Sequence, residues 1–300
     1  MTQNNRLGIL LMIAAVFVFA VQDALSRHLA GTYNTLMIIM IRYWFFAAFV
    51  IVLAARKSGG LTNAARTNHP ILQPLRGLIL AAEVCVMVYA FVRLGLINTH
   101  AIFAAGPLLV AALSGPILGE KVGWRRWLAI AAGFIGIMIV LAPGSGVFNV
   151  NSLVAALAAF MFAIYALLTR YVGRKDRTET SFFWTGTVGA LFMTVVGATY
   201  WQPMSQGDWL WMALYCVTAS LSHWLLIKCY EIAEASAVQP FAYLHLVFAS
   251  VFGIVLFHEQ LHWNTVAGAA LVVAAGLFTL WRERVSRVRA ALTAVRQSSS

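Results

Sequence analysis

Ten apolar windows, each bounded by charged or turn-forming residues, constrain this chain more than any other feature. A helix needs about 20 apolar residues to cross a bilayer core about 30 Å thick. The windows lie at residues 7–27, 35–55, 73–93, 96–118, 124–142, 150–170, 180–200, 208–229, 235–257 and 263–281. The sequence therefore predicts an all-α integral membrane protein with ten transmembrane helices.

The composition agrees with a membrane protein. Hydrophobic residues make up 61% of the chain and charged residues 10%, whereas about a quarter of the residues in a soluble domain are charged. The first window has no small-residue cleavage site followed by a soluble domain, so we expect it to stay in the membrane. Cys85, Cys216 and Cys229 lie inside windows without paired spacing, which predicts packing residues.

The chain has a net charge of +11, and its Lys and Arg residues are unevenly divided between the two sides of the membrane. With a cytoplasmic N-terminus, only Arg27 and Arg93 fall outside, and the connections near residues 145, 205 and 260 carry no Lys or Arg. The cytoplasmic connections, the window ends next to them and the tail hold Arg6, Arg56, Lys57, Arg66, Arg76, Lys121, Arg125, Arg126, Arg170, Arg174, Lys175, Arg177, Lys228, Arg282, Arg284, Arg287, Arg289 and Arg296. Both termini are therefore predicted to be cytoplasmic. The basic tail is expected to contact lipid headgroups, with a nucleic-acid arm as the alternative.

The chain repeats itself. FAVQDALSR at 19–27 matches FAIYALLTR at 162–170 at an offset of 143, and ILGEKVGW at 117–124 matches LFHEQLHW at 256–263 at an offset of 139. Each unit holds five windows, an odd number, so the second unit enters the membrane inverted. We predict a first five-helix repeat at 1–146, a second at 147–282 and a cytoplasmic tail at 283–300. Inverted repeats favour alternating access, although duplication also builds channels or a merely stable bundle.

The HEQLH stretch at 258–262 has the spacing of a zinc peptidase motif, in which two His on one helix face hold the metal and the Glu is the base. Its repeat mate, Glu120, is flanked by Gly119 and Gly123 in place of the two His. The segment also lies in a short connection, and no third ligand is apparent. We therefore expect each Glu to hydrogen-bond the turn between the last two helices of its repeat, and we expect no metal site or cofactor.

Polar residues at membrane depth mark the candidate substrate site. Asp23, Arg42 and Glu83 lie at similar predicted depth on the first three windows, where an Arg42 ion pair with either acid is plausible. These residues either bind the charged groups of a zwitterion or form a structural salt bridge. A helical pair between Asp23 and Arg27 is a further structural alternative.

Other residues complete the candidate site. Gln22 and Tyr165 occupy equivalent repeat positions and are expected to line a central cavity, while a membrane His such as His223 either relays protons or hydrogen-bonds a neighbouring helix. Aromatic residues are expected to supply apolar walls. The full substrate-binding set is Gln22, Asp23, Arg42, Glu83, Tyr89, Tyr165, Trp184, Tyr243 and His245. Small residues in 127–142 and 266–281 suit a tight helix contact or a dimer face.

Three features of the sequence carry a family resemblance. They are the aligned halves, the stretch GPLLVAALSGPILGEKVGWRRWLAIAAGFIGIMIVL at 106–141, and the recurrence of Glu, Trp and Gly at Glu259, Trp263 and Gly268. The chain resembles the drug/metabolite transporter superfamily, specifically the ten-helix EamA-type exporters, and within it the YddG-type amino-acid exporters. The resemblance implies a bacterial inner-membrane exporter of amino acids and related metabolites. It also implies a central cavity built by the first four helices of each repeat, with the fifth helix peripheral.

The sequence therefore predicts a secondary exporter that binds a small-molecule substrate and membrane lipids but no nucleic acid, as a monomer or homodimer. It carries no P-loop, so ATP is not the direct energy source. Three alternatives stay open at this point. They are a multidrug or hydrophobic-cation exporter of the same fold, a passive pore, and an intramembrane zinc metallopeptidase that uses HEQLH.

Overall fold

The computed structural model describes residues 5–56, 60–119, 123–141, 150–233 and 238–298, and all regular elements in these ranges are helical. The boundary predicted at residue 146 and the repeat mate Glu120 lie outside the described residues. Within the described ranges, nine helices are long and apolar enough to cross a membrane, and Trp127–Leu141 is a shorter apolar helix. These ten segments coincide with the ten predicted windows to within a few residues.

The first repeat contains seven helices. They are α1 (Asn5–Thr32), α2 (Thr35–Ala55), the short α3 (Gly60–Ala65), α4 (Leu72–Leu94), α5 (Leu96–Phe103), α6 (Gly106–Leu118) and α7 (Trp124–Leu141). Asn34 begins α2, since its side chain accepts a hydrogen bond from the Leu36 N–H at 2.9 Å. This is the expected role of an N-cap residue.

The second repeat follows the same order. It contains α8 (Val150–Val172), α9 (Thr178–Gly197), the 3₁₀ turn η1 (Ala198–Tyr200), α10 (Gln206–Ile232), the 3₁₀ turn η2 (Gln239–Tyr243), α11 (Leu244–Phe257) and α12 (Trp263–Ser298). The Ser205 hydroxyl caps α10 by accepting from the Asp208 N–H at 3.2 Å. The connection from α2 to α4 is longer than its counterpart from α9 to α10. This difference in length agrees with the decrease of the offset between matching residues from 143 early in the repeat to 139 late in it.

The fourth span of each repeat is irregular at membrane depth. In the first repeat α5 ends at Phe103, and α6 begins at Gly106 with Pro107 in its first turn. In the second repeat the 3₁₀ turn η2, with Pro240 in its first turn, precedes α11. Proline removes a backbone donor, and broken helices are tolerated in membranes where they line a cavity. The breaks therefore indicate that the fourth spans line a cavity at the centre of the bundle.

The two repeats pack against each other reciprocally. α1 packs on α10 as α4 packs on α8, α2 packs on α9, and α7 packs on α12. Thus the first span of each repeat contacts the third span of the other. This pattern is the one that a pseudo-two-fold axis produces, and it places the first four spans of each repeat around a common centre.

The fifth spans meet through glycine. A Cβ atom added at Gly268 would lie 2.5 Å from the backbone oxygen of Gly136, and one added at Gly136 would lie 2.8 Å from that of Gly268. Backbones can approach this closely only where side chains are absent. The small residues predicted to form a tight helix contact therefore do so within one chain, between α7 and α12.

A substitution tests this contact. We expect Gly268→Ala to destabilise the protein by about 1–3 kcal/mol, the usual range for overpacking, because the new methyl group meets backbone. Gly31→Ala is the matched control, since nothing lies within 4 Å of a Cβ added at Gly31. Melting temperatures in detergent should fall for Gly268→Ala alone, and equal melting temperatures for both variants would contradict this packing.

Candidate functional site

A cavity of about 460 Å³ lies where the first four spans of the two repeats meet. Its wall is mostly apolar, with a small number of polar side chains, as in small-molecule sites. The polar and ionisable lining residues are Gln22, Asp23, Ser26, Arg42, Glu83, His100, Tyr165, His223, Tyr243 and His245. Seven of the nine residues predicted for the substrate site are among them.

Asp23 is the centre of a buried three-residue cluster. Its Oδ2 atom lies 2.9 Å from Nε2 of His245 and 3.1 Å from Nε2 of His100. Asp23 and His100 are 7% and 3% exposed. We did not predict His100 from the sequence, although it is an ionisable residue in the fourth window and the rule that selected the other residues applies to it.

Arg42 and Glu83 line the cavity and interact electrostatically with each other, but they form no direct ion pair with a described residue. Nη1 of Arg42 donates to the Tyr215 hydroxyl at 3.3 Å, which is its one hydrogen bond to a described residue. Glu83 is 4% exposed and makes no ion pair or hydrogen bond with the described residues. The plausible ion pair of Arg42 with Asp23 or Glu83 is therefore not formed as a direct contact, because Asp23 contacts the two histidines and Arg42 donates to Tyr215 on α10.

Aromatic rings form one part of the apolar wall. The Phe103 and Phe162 ring centroids are 5.2 Å apart, and those of Phe162 and Tyr165 are 6.1 Å apart. Gln22 lies on the opposite repeat from Tyr165, and both line the cavity as the repeat positions predicted. The Tyr243 hydroxyl is buried and has no hydrogen-bond partner among the described residues.

Two predicted residues lie elsewhere. Tyr89 is 42% exposed, and the Arg93 guanidinium lies 5.4 Å from its ring centroid. The Trp184 indole N–H donates to the backbone oxygen of Ala65 at 3.1 Å. Neither side chain lines the cavity, so their assignment to the substrate site is wrong. Aromatic residues are too frequent in this sequence for type alone to select the cavity wall.

Glu259 of the HEQLH stretch holds a helix of the other repeat. Its two carboxylate oxygens accept from the backbone N–H groups of Leu96 at 2.7 Å and Ile97 at 2.9 Å, and it forms an ion pair with Arg27. Gly95, directly before α5, has φ +89°, and an added Cβ there would lie 2.8 Å from the Glu259 carboxylate. Glu259 therefore stabilises the N-terminus of α5, where anions are favoured, rather than the turn that we predicted.

This geometry does not support the zinc-peptidase hypothesis. Residues 258–262 form a non-helical connection between α11 and α12, and His258 ends α11 in the left-handed conformation with φ 53°. The HExxH mechanism needs both His on one helix face and a Glu free to act on water. Here the helix is absent and the Glu carboxylate is occupied. Arg27 also pairs with Glu259 and not with Asp23 as in the alternative above.

Arg76 is a buried contact between the repeats. It is 1% exposed, and its guanidinium donates to the hydroxyls of Tyr165 at 3.2 Å and Thr169 at 3.1 Å on α8. It also donates to the Thr185 hydroxyl at 2.8 Å on α9. Arg76, which we counted among the cations on the cytoplasmic side, lies one turn inside α4 and is bound by the second repeat.

The contacts of Arg76 and Arg42 are reciprocal. The offset of 143 places Arg42 opposite Thr185, and the offset of 139 places Arg76 opposite Tyr215. Arg76 joins α4 to Thr185 on α9, and Tyr215 on α10 joins Arg42 on α2. Residues at these two equivalent repeat positions therefore join the third span of one repeat to the second span of the other. This contact occurs once in each half of the molecule.

Asp176 extends the Arg76 contact to the connection between α8 and α9. Its carboxylate accepts from the Asn68 backbone N–H at 2.7 Å, from the Gln73 amide at 2.9 Å and from the Thr67 hydroxyl. Burial acts to raise the pKa of Asp176, but the hydrogen bonds from Thr67, Asn68 and Gln73 outweigh it and hold the pKa below its ordinary value. The carboxylate therefore ties the connection between α3 and α4 to the second repeat.

Comparison with known proteins identifies relatives along nearly the whole chain. The sequence profile of the EamA-like transporter family matches residues 6–142 and 151–281. An S-adenosylmethionine uptake transporter of Rickettsia prowazekii is 26% identical over 279 residues, covering 93% of this chain and 94% of the relative. A riboflavin transporter of Vibrio cholerae is 28% identical over 283 residues, with 93% and 95% covered. The pseudopaline exporter CntI of Pseudomonas aeruginosa is 23% identical over 270 residues, with 89% and 94% covered.

The Asp176 contact predicts a dependence of stability on pH. Because the pKa of Asp176 is lower in the folded protein than in the unfolded chain, its contribution is fully present above the ordinary carboxyl pKa and is lost as the pH falls through the folded value. We expect Asp176→Asn to lower the melting temperature at neutral pH and to reduce the further loss in acid. If the melting temperatures of Asp176→Asn and the unmodified protein changed with pH in parallel, this role of Asp176 would be contradicted.

The Glu259 contact predicts a structural effect. We expect Glu259→Gln to lower the melting temperature, because it breaks the partly buried ion pair with Arg27, leaves one backbone N–H without its acceptor and gives the other a neutral acceptor in place of a charged one. His262→Ala is the control from the same stretch and should melt with the unmodified protein. If His262→Ala were instead the destabilising change, the assignment of Glu259 as the helix anchor would fail.

Proposed function

The chain belongs to the EamA-like transporter family, and from that premise we propose that it carries a zwitterionic metabolite with a planar ring through its cavity by alternating access. It is a multi-pass protein of the bacterial inner membrane and a transporter rather than an enzyme. The substrate class and the direction of transport are our proposal. The observation that carries it is that the Arg42 guanidinium and the Glu83 carboxyl group both line the cavity, close enough to interact electrostatically but without a direct ion pair among the described residues.

Charge compensation selects the substrate class. A charge at membrane depth costs several kcal/mol unless it is paired or hydrated, and a guanidinium has five N–H donors. Arg42 uses one of its donors on Tyr215. The remaining donors suit a substrate carboxylate, which guanidinium groups bind in a bidentate manner. Glu83 suits the ammonium group of the same molecule.

The aromatic wall supports a substrate that also has a planar ring. Phe103, Phe162 and Tyr165 form a continuous series of rings along the cavity. S-adenosylmethionine, the substrate in the name of one relative, combines an α-amino-acid zwitterion with a sulfonium cation and adenine. We therefore infer uptake of S-adenosylmethionine or a close analogue. Export of amino acids, expected from the resemblance above, uses the same charged contacts and is the alternative.

The reciprocal contacts supply a mechanism for alternating access. Arg42 is shared between the cavity and the contact of α2 with Tyr215 on α10. A substrate carboxylate bound to the remaining donors of Arg42 draws the guanidinium toward the cavity and so weakens its hydrogen bond to Tyr215. The Arg76 contact in the other half has all its donors on protein groups and stays closed until the first contact rearranges. A substrate shifts such an equilibrium by its difference in affinity for the two states.

Uptake of radiolabelled S-adenosylmethionine into proteoliposomes tests the proposal. We expect Arg42→Gln and Glu83→Gln each to reduce uptake at least about tenfold, since a tenfold loss corresponds to about 1.4 kcal/mol and a charged hydrogen bond contributes about 1.5–3 kcal/mol. Trp184→Phe and Tyr89→Phe are aromatic controls away from the cavity and should keep normal uptake.

A further variant separates binding from packing at Arg42. Tyr215→Phe removes the hydrogen bond to α10 but leaves the guanidinium in the cavity, so we expect it to retain substrate affinity. If Tyr215→Phe loses as much uptake as Arg42→Gln, Arg42 acts through packing and not through the substrate. Transport of riboflavin in place of S-adenosylmethionine would contradict the zwitterion class. Lack of acceleration by substrate on the far side would indicate a pore.

A further inference from the structure

The cluster of Asp23, His100 and His245 has the composition of a transition-metal site. One carboxylate oxygen and two imidazole nitrogens lie within 4.8 Å of one another. Imidazole suits zinc, copper, nickel and iron, and a set of three protein ligands leaves a fourth position open. We propose that this cluster binds a divalent cation of the zinc class within the transport cavity. The proposal does not rest on the identity of the substrate.

The His100 ring is the observation that favours a metal over a closed hydrogen-bond network. Its Nε2 atom contacts Oδ2 of Asp23 at 3.1 Å, but the contact lacks the geometry of a well-formed hydrogen bond. His245, in contrast, is hydrogen-bonded to the same oxygen at 2.9 Å. A buried polar nitrogen without a well-formed hydrogen bond is costly. In His100, which is 3% exposed, a metal ion would use that nitrogen.

The spacing of the ligand atoms agrees with zinc coordination. Zinc binds imidazole nitrogen and carboxylate oxygen at about 2.0–2.2 Å, so ligands of a tetrahedral site lie about 3.3 Å apart. The two separations from Asp23, 2.9 and 3.1 Å, need to widen by only a few tenths of an ångström, and the two imidazole nitrogens lie within 4.8 Å of each other. All three side chains line the cavity, so the fourth position faces the transport route and is open to water or a solute.

The position of the ligands predicts an effect on the transport cycle. Asp23 and His100 belong to α1 and α5 of the first repeat, and His245 belongs to α11 of the second. A bound ion therefore joins the repeats whose relative movement produces alternating access. We expect zinc to hold the protein in this conformation, which raises the melting temperature and slows transport.

Metal titration of the purified full-length chain, free of any polyhistidine tag, tests the site. Cobalt is the probe, because it replaces zinc and absorbs visible light when bound. We expect one equivalent of cobalt to bind, with zinc displacing it. His100→Gln and His245→Gln should each weaken binding at least tenfold. His223→Gln is the matched control, since this cavity histidine contacts the backbone oxygen of Ala219 at 2.8 Å and not Asp23.

Any of three results would overturn the proposal. The first is that the unmodified chain binds no cobalt at micromolar concentration. The second is that His100→Gln and His245→Gln bind cobalt as tightly as the unmodified chain, and the third is that cobalt binding is lost in His258→Ala and His262→Ala instead. Size-exclusion profiles show whether each variant is folded, and the titration of the unmodified chain decides the first result without any variant. Zinc inhibition of uptake that persists in His245→Gln would refute the coupling to transport, even where metal binding is confirmed.

Discussion

The structure depends on one constraint, which is that a charge removed from water into the membrane must be compensated by protein groups or by a solute. Arg27 and Glu259 compensate each other, and the Arg76 guanidinium is surrounded by neutral acceptors of the second repeat. Arg42 and Glu83 line the cavity and interact with each other at longer range than a direct ion pair. The directly paired groups hold the two repeats together, and the cavity groups without a direct ion pair are available to a substrate.

The same constraint accounts for the pairing of the repeats. Several buried polar groups of each repeat find their hydrogen-bond partners in the other repeat. Neither repeat therefore satisfies its polar groups alone. The contact of α4 with α9 through Arg76 and the contact of α10 with α2 through Tyr215 occupy equivalent positions in inverted units. Two such contacts of comparable kind allow two conformations of comparable energy, which alternating access requires.

The spans, the repeats and most of the cavity were predictable from the sequence, because hydropathy fixes helix length and a polar residue at membrane depth marks a functional position. Asp23, Arg42, Glu83 and Gln22 were found in this way. The partners were not predictable. Glu259 holds α5 across the repeats, and Arg76 binds hydroxyl groups of the second repeat, because hydropathy places a residue along its own span but does not identify its partner in another span. His100 carried a usable signal that was missed.

The most direct measurement of the central claim is competition for uptake of labelled S-adenosylmethionine by two unlabelled solutes that share its adenine ring. S-adenosylhomocysteine retains the amino-acid zwitterion, and methylthioadenosine lacks it. If Arg42 and Glu83 are compensated by the substrate, S-adenosylhomocysteine competes strongly and methylthioadenosine competes weakly. Equal competition by both solutes would mean that the ring alone is recognised and that the two charges have another role.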